Sequence, residues 1–423
     1  MSKEHVDMWK ELGLDLEAHD GLLGILGQAY GDIFLSQKNR PEGMKYFDFV
    51  VSEVHGLRIK ELIEEKKKGN LVVGTFCVYV PEELVLAVDG VQIGLCAGAE
   101  VGFEKAEEHL PRNTCALIKA FVGFRLADLC PYTEVADFVV GETTCDGKKK
   151  AYELFSGFKD LYVMEIPQMK RESDRQLWKT EILRFRDELE KRSGKKITAE
   201  GLKKGIEIVN EKRKALQRLA KIRYKHPSVI SGRDALLINQ ISFYDNPARF
   251  IGSVNTLCDE LEERGKSGVS INGNSFKKIV MSGCPMAVPN WKTPFLVESA
   301  GAAIVAEESC VGERNTRDMI AGYGDSLETM LESLVDRYMK IDCACFTPNE
   351  ERLENIIKMV RDSKADGVIH YSLQFCTPYL IESKKVQERC RKEGIPYLTL
   401  ETDYSSGDME QLKTRIEAFI EKL

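Results

Sequence analysis

Cysteine is the residue type with the clearest capacity for chemistry in this chain, which contains 12 cysteines among 423 residues. Six of them directly follow an apolar run that is typical of a β-strand. The runs LVVGTF, VQIGL, DFVVGETT, KIVMSG, AAIVAEES and ADGVIHYSLQF precede Cys77, Cys96, Cys145, Cys284, Cys310 and Cys376. In an open α/β sheet, ligands bind in the crevice beyond the carboxyl ends of the strands. Thiols that recur there indicate a site for a cofactor with soft ligands.

The spacing of the cysteines excludes the common local metal sites. The sequence has no Cys-x-x-Cys, no Cys/His pair at zinc-finger spacing and no bacterial ferredoxin spacing. Only Cys343 and Cys345 lie close together, so a metal site must draw thiols from distant loops. An iron–sulfur cluster suits such a site, because thiolates are its usual ligands. The alternative is that the cysteines pack as small hydrophobes. We expect this role for Cys258 and Cys390, because both lie in amphipathic helical patterns.

Composition limits the classes of function. Charged residues make up 30% and hydrophobic residues 43%, as in soluble globular proteins. The net charge of −7 gives no general attraction to nucleic acid or anionic lipid. We expect the lysine runs Lys66–Lys68 and Lys148–Lys150 to be solvated helix faces. The N-terminus lacks a signal peptide pattern, and no apolar stretch approaches the ~20 residues of a membrane span. We therefore expect a cytoplasmic protein with reduced cysteines and neither membrane nor nucleic acid as partner.

The apolar patterns divide the chain into four parts. Residues 1–68 contain amphipathic helical runs, and residues 69–168 alternate strands with helices, ending in LYVMEIP. Residues 169–262 have helical periodicity with dense charges, and residues 263–423 return to the alternation and include the strand PYLTLE. Strands separated by helical patterns predict parallel sheets. We therefore predict an α/β fold with two parallel-sheet domains, a helical N-terminal segment and a helical bridge between the sheets.

The chain has no nucleotide-binding motif. In GETTCDGKK, five residues separate Gly141 from Gly147, whereas the phosphate-binding loop has four. No G-x-G-x-x-G follows a strand, so a nicotinamide cofactor has no support. If ATP drives the chemistry, another polypeptide hydrolyses it.

Seven segments together resemble the 2-hydroxyacyl-CoA dehydratase and benzoyl-CoA reductase superfamily, and within it the double-cubane cluster proteins. They are GTFCVYVPEELVLAVDGVQIGLCAG, LPRNTCALIKAFVGF, CPYTEVADFVVGETTCDGKKKAYE, SGCP, IDCACFTPN, HYSLQFCTPYLIES and IPYLTLETDYSSGD. The resemblance covers nearly the whole chain, and VVGETTCDGKKK is its most specific motif. The additional cysteines of the C-terminal half favour the double-cubane branch.

The resemblance implies two flavodoxin-like domains with an iron–sulfur cluster between them. Dehydratase subunits hold one [4Fe-4S] cluster with three cysteines. The double-cubane branch holds two cubanes joined by a sulfide, an [8Fe-9S] unit that needs six cysteines. This branch forms homodimers, receives electrons from a separate ATP-hydrolysing iron–sulfur activator and reduces small molecules such as acetylene, hydrazine and azide. By this resemblance, the chain is expected to be an iron–sulfur reductase, an oxidoreductase.

The resemblance implies six cluster ligands in this chain. Cys77, Cys115 and Cys145 match N-terminal motif positions, and three more come from the C-terminal half: Cys310, Cys345 and Cys376. Cys284 is the main alternative for a place among the six, followed by Cys343. The resemblance does not assign individual cysteines to either cubane.

Polar residues near these cysteines are candidates for proton transfer or substrate binding. His370, Gln374 and Glu142 are the predicted catalytic residues, and Tyr371 and Arg112 are further candidates. A structural role is the alternative for each, because the ends of parallel strands commonly carry polar side chains.

Three other functions remain open. The chain could be a dehydratase subunit with one [4Fe-4S] cluster, removing water from a 2-hydroxyacyl-CoA through a ketyl radical. It could also be a non-enzymatic electron-transfer protein, or a metal-free α/β binding protein whose cysteines pack in the core. Iron content separates a double cubane from a single cluster and from none, at about eight, about four and no irons per chain.

Overall fold

Eight strands form two separate sheets in the computed structural model of the protein, which describes residues 3–271, 273 and 275–423. The strands are β1 (Val72–Thr75), β2 (Val91–Gly94), β3 (Phe138–Glu142), β4 (Leu161–Met164), β5 (Lys277–Gly283), β6 (Ala302–Glu308), β7 (Gly367–Leu373) and β8 (Tyr397–Thr402). The sheet orders are β2-β1-β3-β4 and β6-β5-β7-β8, and every neighbouring pair is parallel. This is the order of a flavodoxin-like sheet. All eight predicted strands are present, and the predicted α/β class is confirmed.

Helices precede, separate and cover the strands. The N-terminal helices are α1 (Lys3–Glu11), α2 (Leu16–Tyr30), α3 (Met44–Ser52) and α4 (Leu57–Lys67), with a π-helical turn at Gly31–Leu35. The first sheet is connected by α5 (Glu82–Leu86), α6 (Phe103–Glu107), α7 (Ala116–Leu126), α8 (Pro131–Val135) and α9 (Asp146–Phe155). Between the sheets lie α10 (Glu172–Ser193), α11 (Ala199–Lys225), α12 (Gly232–Ile241) and α13 (Pro247–Lys266). The second sheet carries α14 (Lys292–Ser299), α15 (Glu313–Thr316), α16 (Leu327–Met339), α17 (Glu350–Ser363), α18 (Thr377–Lys392) and α19 (Met409–Ile420).

Local signals set many helix ends. The Asp15 side chain accepts a hydrogen bond from the Ala18 amide at the start of α2, and Thr198 caps α11 in the same way. Gly194 ends α10 in a left-handed conformation, with φ of 68°, which glycine adopts without strain. No helix within the described residues is long and apolar enough to cross a membrane.

The two sheets share one apolar core. Side chains alternate between the faces of a strand, so Val72 and Val73 face opposite sides of the first sheet. Val72 belongs to a large cluster that also contains Ile279 and Ile369 of the second sheet. Val73 belongs instead to a second cluster, which contains Trp178 of α10. The central cluster therefore holds the two sheets together, and helices cover the outer faces.

Candidate functional site

A cavity of about 210 Å³ lies where the strand ends of the two sheets meet, between Thr75 of β1 and Leu373 of β7. Ten cysteines are among its lining residues: Cys77, Cys96, Cys115, Cys130, Cys145, Cys284, Cys310, Cys343, Cys345 and Cys376. The remaining two, Cys258 and Cys390, are fully buried in α13 and α18. All six predicted ligands and both alternatives therefore share one cavity.

Helix N-termini position four of these thiols. Cys115, Cys130, Cys145 and Cys376 are the residues immediately before α7, α8, α9 and α18. The partial positive charge of a helix N-terminus favours a thiolate over a thiol, and burial acts against it, raising the pKa of Cys130 and Cys145. At α9 the interaction is direct, because the Lys148 amide donates a hydrogen bond to Cys145 Sγ at 3.4 Å. This placement suits metal ligands, which must be deprotonated.

The thiols form two contacting sets. Cys376 interacts with Cys115 and Cys284 in the first set, and hydrogen bonding with Cys376, together with burial, raises the pKa of Cys115 well above its ordinary value. Cys115 and Cys376 belong to different sheets, so their contact bridges the two domains. Cys284 also accepts a hydrogen bond from the Leu373 amide at 3.4 Å. An alternative ligand thus lies in direct contact with a predicted one.

The second set contains Cys77, Cys310, Cys343 and Cys345. Hydrogen bonds from Cys310 and Cys345 hold the pKa of Cys343 well below its ordinary value. The thiols that donate them are correspondingly harder to ionise, because hydrogen bonds with Cys343 raise the pKa of both. Cys145 interacts electrostatically with Cys115 of the first set and Cys343 of the second. Contact alone does not separate Cys284 and Cys343 from the six predicted ligands, so that assignment stays a prediction.

A buried ionic network adjoins the second set. Arg314 Nη1 lies 3.5 Å from Cys310 Sγ, and the Tyr379 hydroxyl lies 3.8 Å from Cys343 Sγ. Arg314 also pairs with Glu308, which accepts a further hydrogen bond from Arg352 Nη2 at 2.9 Å. Burial alone would raise the pKa of Glu308, but the two guanidinium groups hold it below its ordinary value. The network therefore places a guanidinium beside Cys310 and a hydroxyl beside Cys343, and Glu308 balances the guanidinium charge.

This network was not predicted from the sequence. Its partners lie far apart in the chain, since Arg352 is 44 residues from Glu308. The sequence carries one signal of it, because Glu307 and Glu308 end an otherwise apolar strand, and both are buried. Carboxylates in that position require cationic partners.

A lysine and a glutamate lie behind the thiols of the first sheet. Glu142 Oε1 accepts a hydrogen bond from the Cys77 amide at 3.1 Å, and its Oε2 lies 3.9 Å from Lys148 Nζ. Burial raises the pKa of Glu142 to about 7, against the opposing effect of the Lys148 charge. Lys149 and Lys150 are exposed, but Lys148 is buried and lines the cavity. The prediction of a solvated lysine face is therefore wrong for Lys148, because the first turn of α9 directs this side chain inward.

The five predicted polar residues lie outside the described lining of the cavity. Glu142 and Tyr371 are buried close to it, and the Tyr371 hydroxyl accepts a hydrogen bond from Asn290 at 2.8 Å. His370 is buried, with Nδ1 3.4 Å from Ser282 Oγ. Gln374 is half-buried, and Arg112 is exposed. Their catalytic roles stay predictions.

The donor set of the cavity fits an iron–sulfur cluster. Thiolates are the usual ligands of such clusters, and nearby hydrogen bonds and charges tune them. The cavity offers ten thiols, and most of its other lining residues are apolar or aromatic. Across the described ranges, no group of three or more His, Cys, Asp or Glu side chains is arranged to hold a single metal ion.

The sequence of the chain is similar to those of dehydratase and reductase subunits. The sequence profile of the family described as 2-hydroxyglutaryl-CoA dehydratase, D-component, matches residues 77–423. An Escherichia coli K12 protein named as a dehydratase subunit, YjiM, is 35% identical over 375 residues, which cover 88% of this chain and 96% of that protein. The (R)-phenyllactyl-CoA dehydratase beta subunit of Clostridium sporogenes is 25% identical, over 86% of this chain and 97% of its own. A benzoyl-CoA reductase subunit of Thauera aromatica is 21% identical, over 85% and 92%.

Proposed function

The chain belongs to the 2-hydroxyglutaryl-CoA dehydratase D-component family, and from this premise we propose that it is an iron–sulfur reductase. Its cofactor is a double-cubane [8Fe-9S] cluster, and its reaction is the ATP-dependent, low-potential reduction of small molecules such as acetylene, hydrazine or azide. The ligands are the six predicted cysteines: Cys77, Cys115, Cys145, Cys310, Cys345 and Cys376.

One observation carries this proposal, the convergence of ten thiols from both sheets on one cavity. A single [4Fe-4S] cluster with three protein ligands would leave seven of them without a role at the site. Two linked cubanes use six. The two contacting sets of thiols supply the separated ligand groups that a pair of cubanes needs.

The residues around the cavity have roles that follow from their chemistry. A bound cluster supplies low-potential electrons. Apolar residues such as Leu95, Ile118 and Phe243 exclude water from the cavity, and the network of Arg314 and Tyr379 stabilises negative charge on Cys310 and Cys343. Glu142 holds the Cys77 amide and so fixes the turn that presents the Cys77 thiol.

The lining of the cavity supports a small substrate. Lys148 is the one charged side chain among its described lining residues, apart from any charge on the thiols and His55. The cavity volume of about 210 Å³ is smaller than the ~300–1,000 Å³ of pockets that hold drug-sized ligands. The space left beside a bound cluster therefore suits a compact molecule.

The proposal includes two protein partners. Electrons come from a separate ATP-hydrolysing iron–sulfur activator, since this chain has no phosphate-binding loop motif. A second copy of the chain completes a homodimer.

An anaerobic turnover assay tests the proposed function. Purified chain, activator, ATP and a strong reductant are mixed with acetylene, and ethylene is measured by gas chromatography. We expect ethylene formation that requires every component. No ethylene from iron-replete protein would contradict the proposal.

The second candidate is a 2-hydroxyacyl-CoA dehydratase subunit, favoured by the family profile and by two of the relatives' names. The same assay with a 2-hydroxyacyl-CoA separates the two functions. Formation of the enoyl-CoA without reduction of acetylene would favour the dehydratase. Absence of both reactions from iron-replete protein would favour electron transfer alone.

A further inference from the structure

Lys148 differs from its two neighbours in the same lysine run. Lys149 pairs with Asp146 at 2.9 Å and Lys150 pairs with Glu153 at 2.5 Å, and both lysines are exposed. The Lys148 side chain is only 8% exposed and lines the thiol cavity. One turn of α9 therefore carries a buried cation and two solvated ones.

The buried ammonium group is only loosely paired with an anion among the described protein atoms. Lys148 Nζ donates one long hydrogen bond, of 3.5 Å, to the Phe76 carbonyl. Glu142 Oε2 lies 3.9 Å away, beyond hydrogen-bond distance, and Glu142 Oε1 is already used by the Cys77 amide. The ammonium also lies 6.0 Å from the centre of the Tyr152 ring. An ammonium has three N–H donors and is costly to bury unless its charge is closely paired, and a separation of 3.9 Å gives a weaker pairing than a direct contact.

The second sheet contains a buried cation with a close anionic partner. Arg314 is fully buried beside Cys310, but it pairs with Glu308 and donates to the Tyr379 hydroxyl. Its charge is balanced within the protein. Lys148 faces the same cavity, and only the 3.9 Å ion pair with Glu142 offsets its charge.

We infer that Lys148 is a positioning cation whose charge compensates the negative charge of the thiolate-held cluster and so favours the reduced cluster. This inference rests on the proposed function. Reduction adds one electron to the cluster from an external reductant, with no bond formed or broken, and a nearby positive charge stabilises the added electron. Removing the charge should therefore lower the reduction potential.

Redox titration monitored by electron paramagnetic resonance tests the inference, with iron content measured on the same samples. The Lys148→Met variant retains the length of the side chain without its charge. We expect a reduction equilibrium at least ten-fold less favourable, a shift of about 59 mV to lower potential for a one-electron couple. Lys148→Arg keeps the charge and should remain near the wild-type potential, as should the matched control Lys149→Met.

Three results would overturn the inference. An iron-replete Lys148→Met protein with an unchanged reduction potential would refute the role proposed for Lys148 and leave the proposed function intact. Loss of iron from both Lys148→Met and Lys148→Arg would assign Lys148 to packing, whereas loss from Lys148→Met alone would support the need for charge. Wild-type protein without iron would overturn the inference and the proposed function together.

Discussion

The N-terminal sheet, β1–β4, and the C-terminal sheet, β5–β8, have the same strand order, and each delivers a thiol after its first three strands. The equivalent pairs are Cys77 with Cys284, Cys96 with Cys310, and Cys145 with Cys376. Their surroundings differ. The first sheet provides Lys148 and Glu142 at 3.9 Å, whereas the second provides a saturated network around Glu308.

This difference shows that the fold repeats the placement of the thiols but not their electrostatics. Strand order fixes where a thiol lies, because the ends of parallel strands meet at one edge. The charge beside each thiol depends on residues brought in from other elements, such as Arg352 of α17. The two halves of the cavity are therefore expected to respond differently to matched substitutions.

Removing one predicted ligand from each half should have the largest effect. Cys145→Ser and Cys345→Ser should each lose iron and lower turnover by more than ~100-fold, because a serine hydroxyl is a poor ligand for iron–sulfur clusters. Iron analysis and the ethylene assay measure both effects. Cys258→Ser is the control, since Cys258 is buried in α13 away from the cavity. Full iron in either ligand variant would remove that cysteine from the set.

Removing the buried carboxylate near the thiols of each sheet should lower the free energy of unfolding by different amounts. Glu308→Gln leaves Arg314 and Arg352 without their shared anion, and we expect it to lower the free energy of unfolding by about 3–5 kcal/mol. Glu142→Gln should lower it by less than Glu308→Gln does, because glutamine can still accept the Cys77 hydrogen bond and the Lys148 ion pair that is lost is long, at 3.9 Å. Denaturant unfolding under anaerobic conditions measures both. Equal losses would mean that the two halves are electrostatically equivalent.

Acid should act through neutral imidazoles, the His19–His55 pair on the N-terminal side and His370 in the C-terminal sheet, whose pKa is lowered by burial. His19 Nε2 and His55 Nδ1 are 2.9 Å apart, and burial lowers the pKa of His19 to about 4 and of His55 to about 3. The unfolded chain binds protons near pH 6.5 and the folded chain does not, so stability should fall as the pH drops from 6.5 towards 4. His19→Gln should reduce this loss by ~2–3 kcal/mol.

Thermal unfolding at several pH values measures the acid effect. His109→Gln is the control, because His109 is exposed. An unchanged acid sensitivity in His19→Gln would show that the histidine pair is not its source.

Cys96→Ser should have the smallest effect on iron content. Cys96 and Cys310 occupy equivalent positions in the two sheets, but their surroundings differ. Cys96 Sγ donates a hydrogen bond to the Phe76 carbonyl at 2.9 Å, so a backbone oxygen holds its proton, and burial raises the pKa of Cys96 to about 12. Cys96→Ser should keep its iron, whereas Cys310→Ser at the equivalent position should lose it. Iron loss from both variants would make the two positions equivalent and add Cys96 to the ligand set.

The sequence predicted the scaffold better than the surroundings of the site. Apolar runs bounded by turns identify the strands, and the cysteines that follow these runs identify the edge of each sheet where the thiols lie. Both features can be read from neighbouring residues in the sequence. The burial of Lys148 was missed because it depends on which face of α9 meets the cavity. Residues on a strand buried on both faces, such as His370 and Tyr371 of β7, give no periodicity that shows which one faces the cavity.

The most direct test of a paired cluster between the two sheets is the iron and acid-labile sulfide content of protein purified without oxygen. We expect about eight irons per chain, with a slightly larger number of sulfides. About four irons would contradict the double cubane and favour a dehydratase subunit, and a colourless, iron-free protein would contradict the cluster altogether.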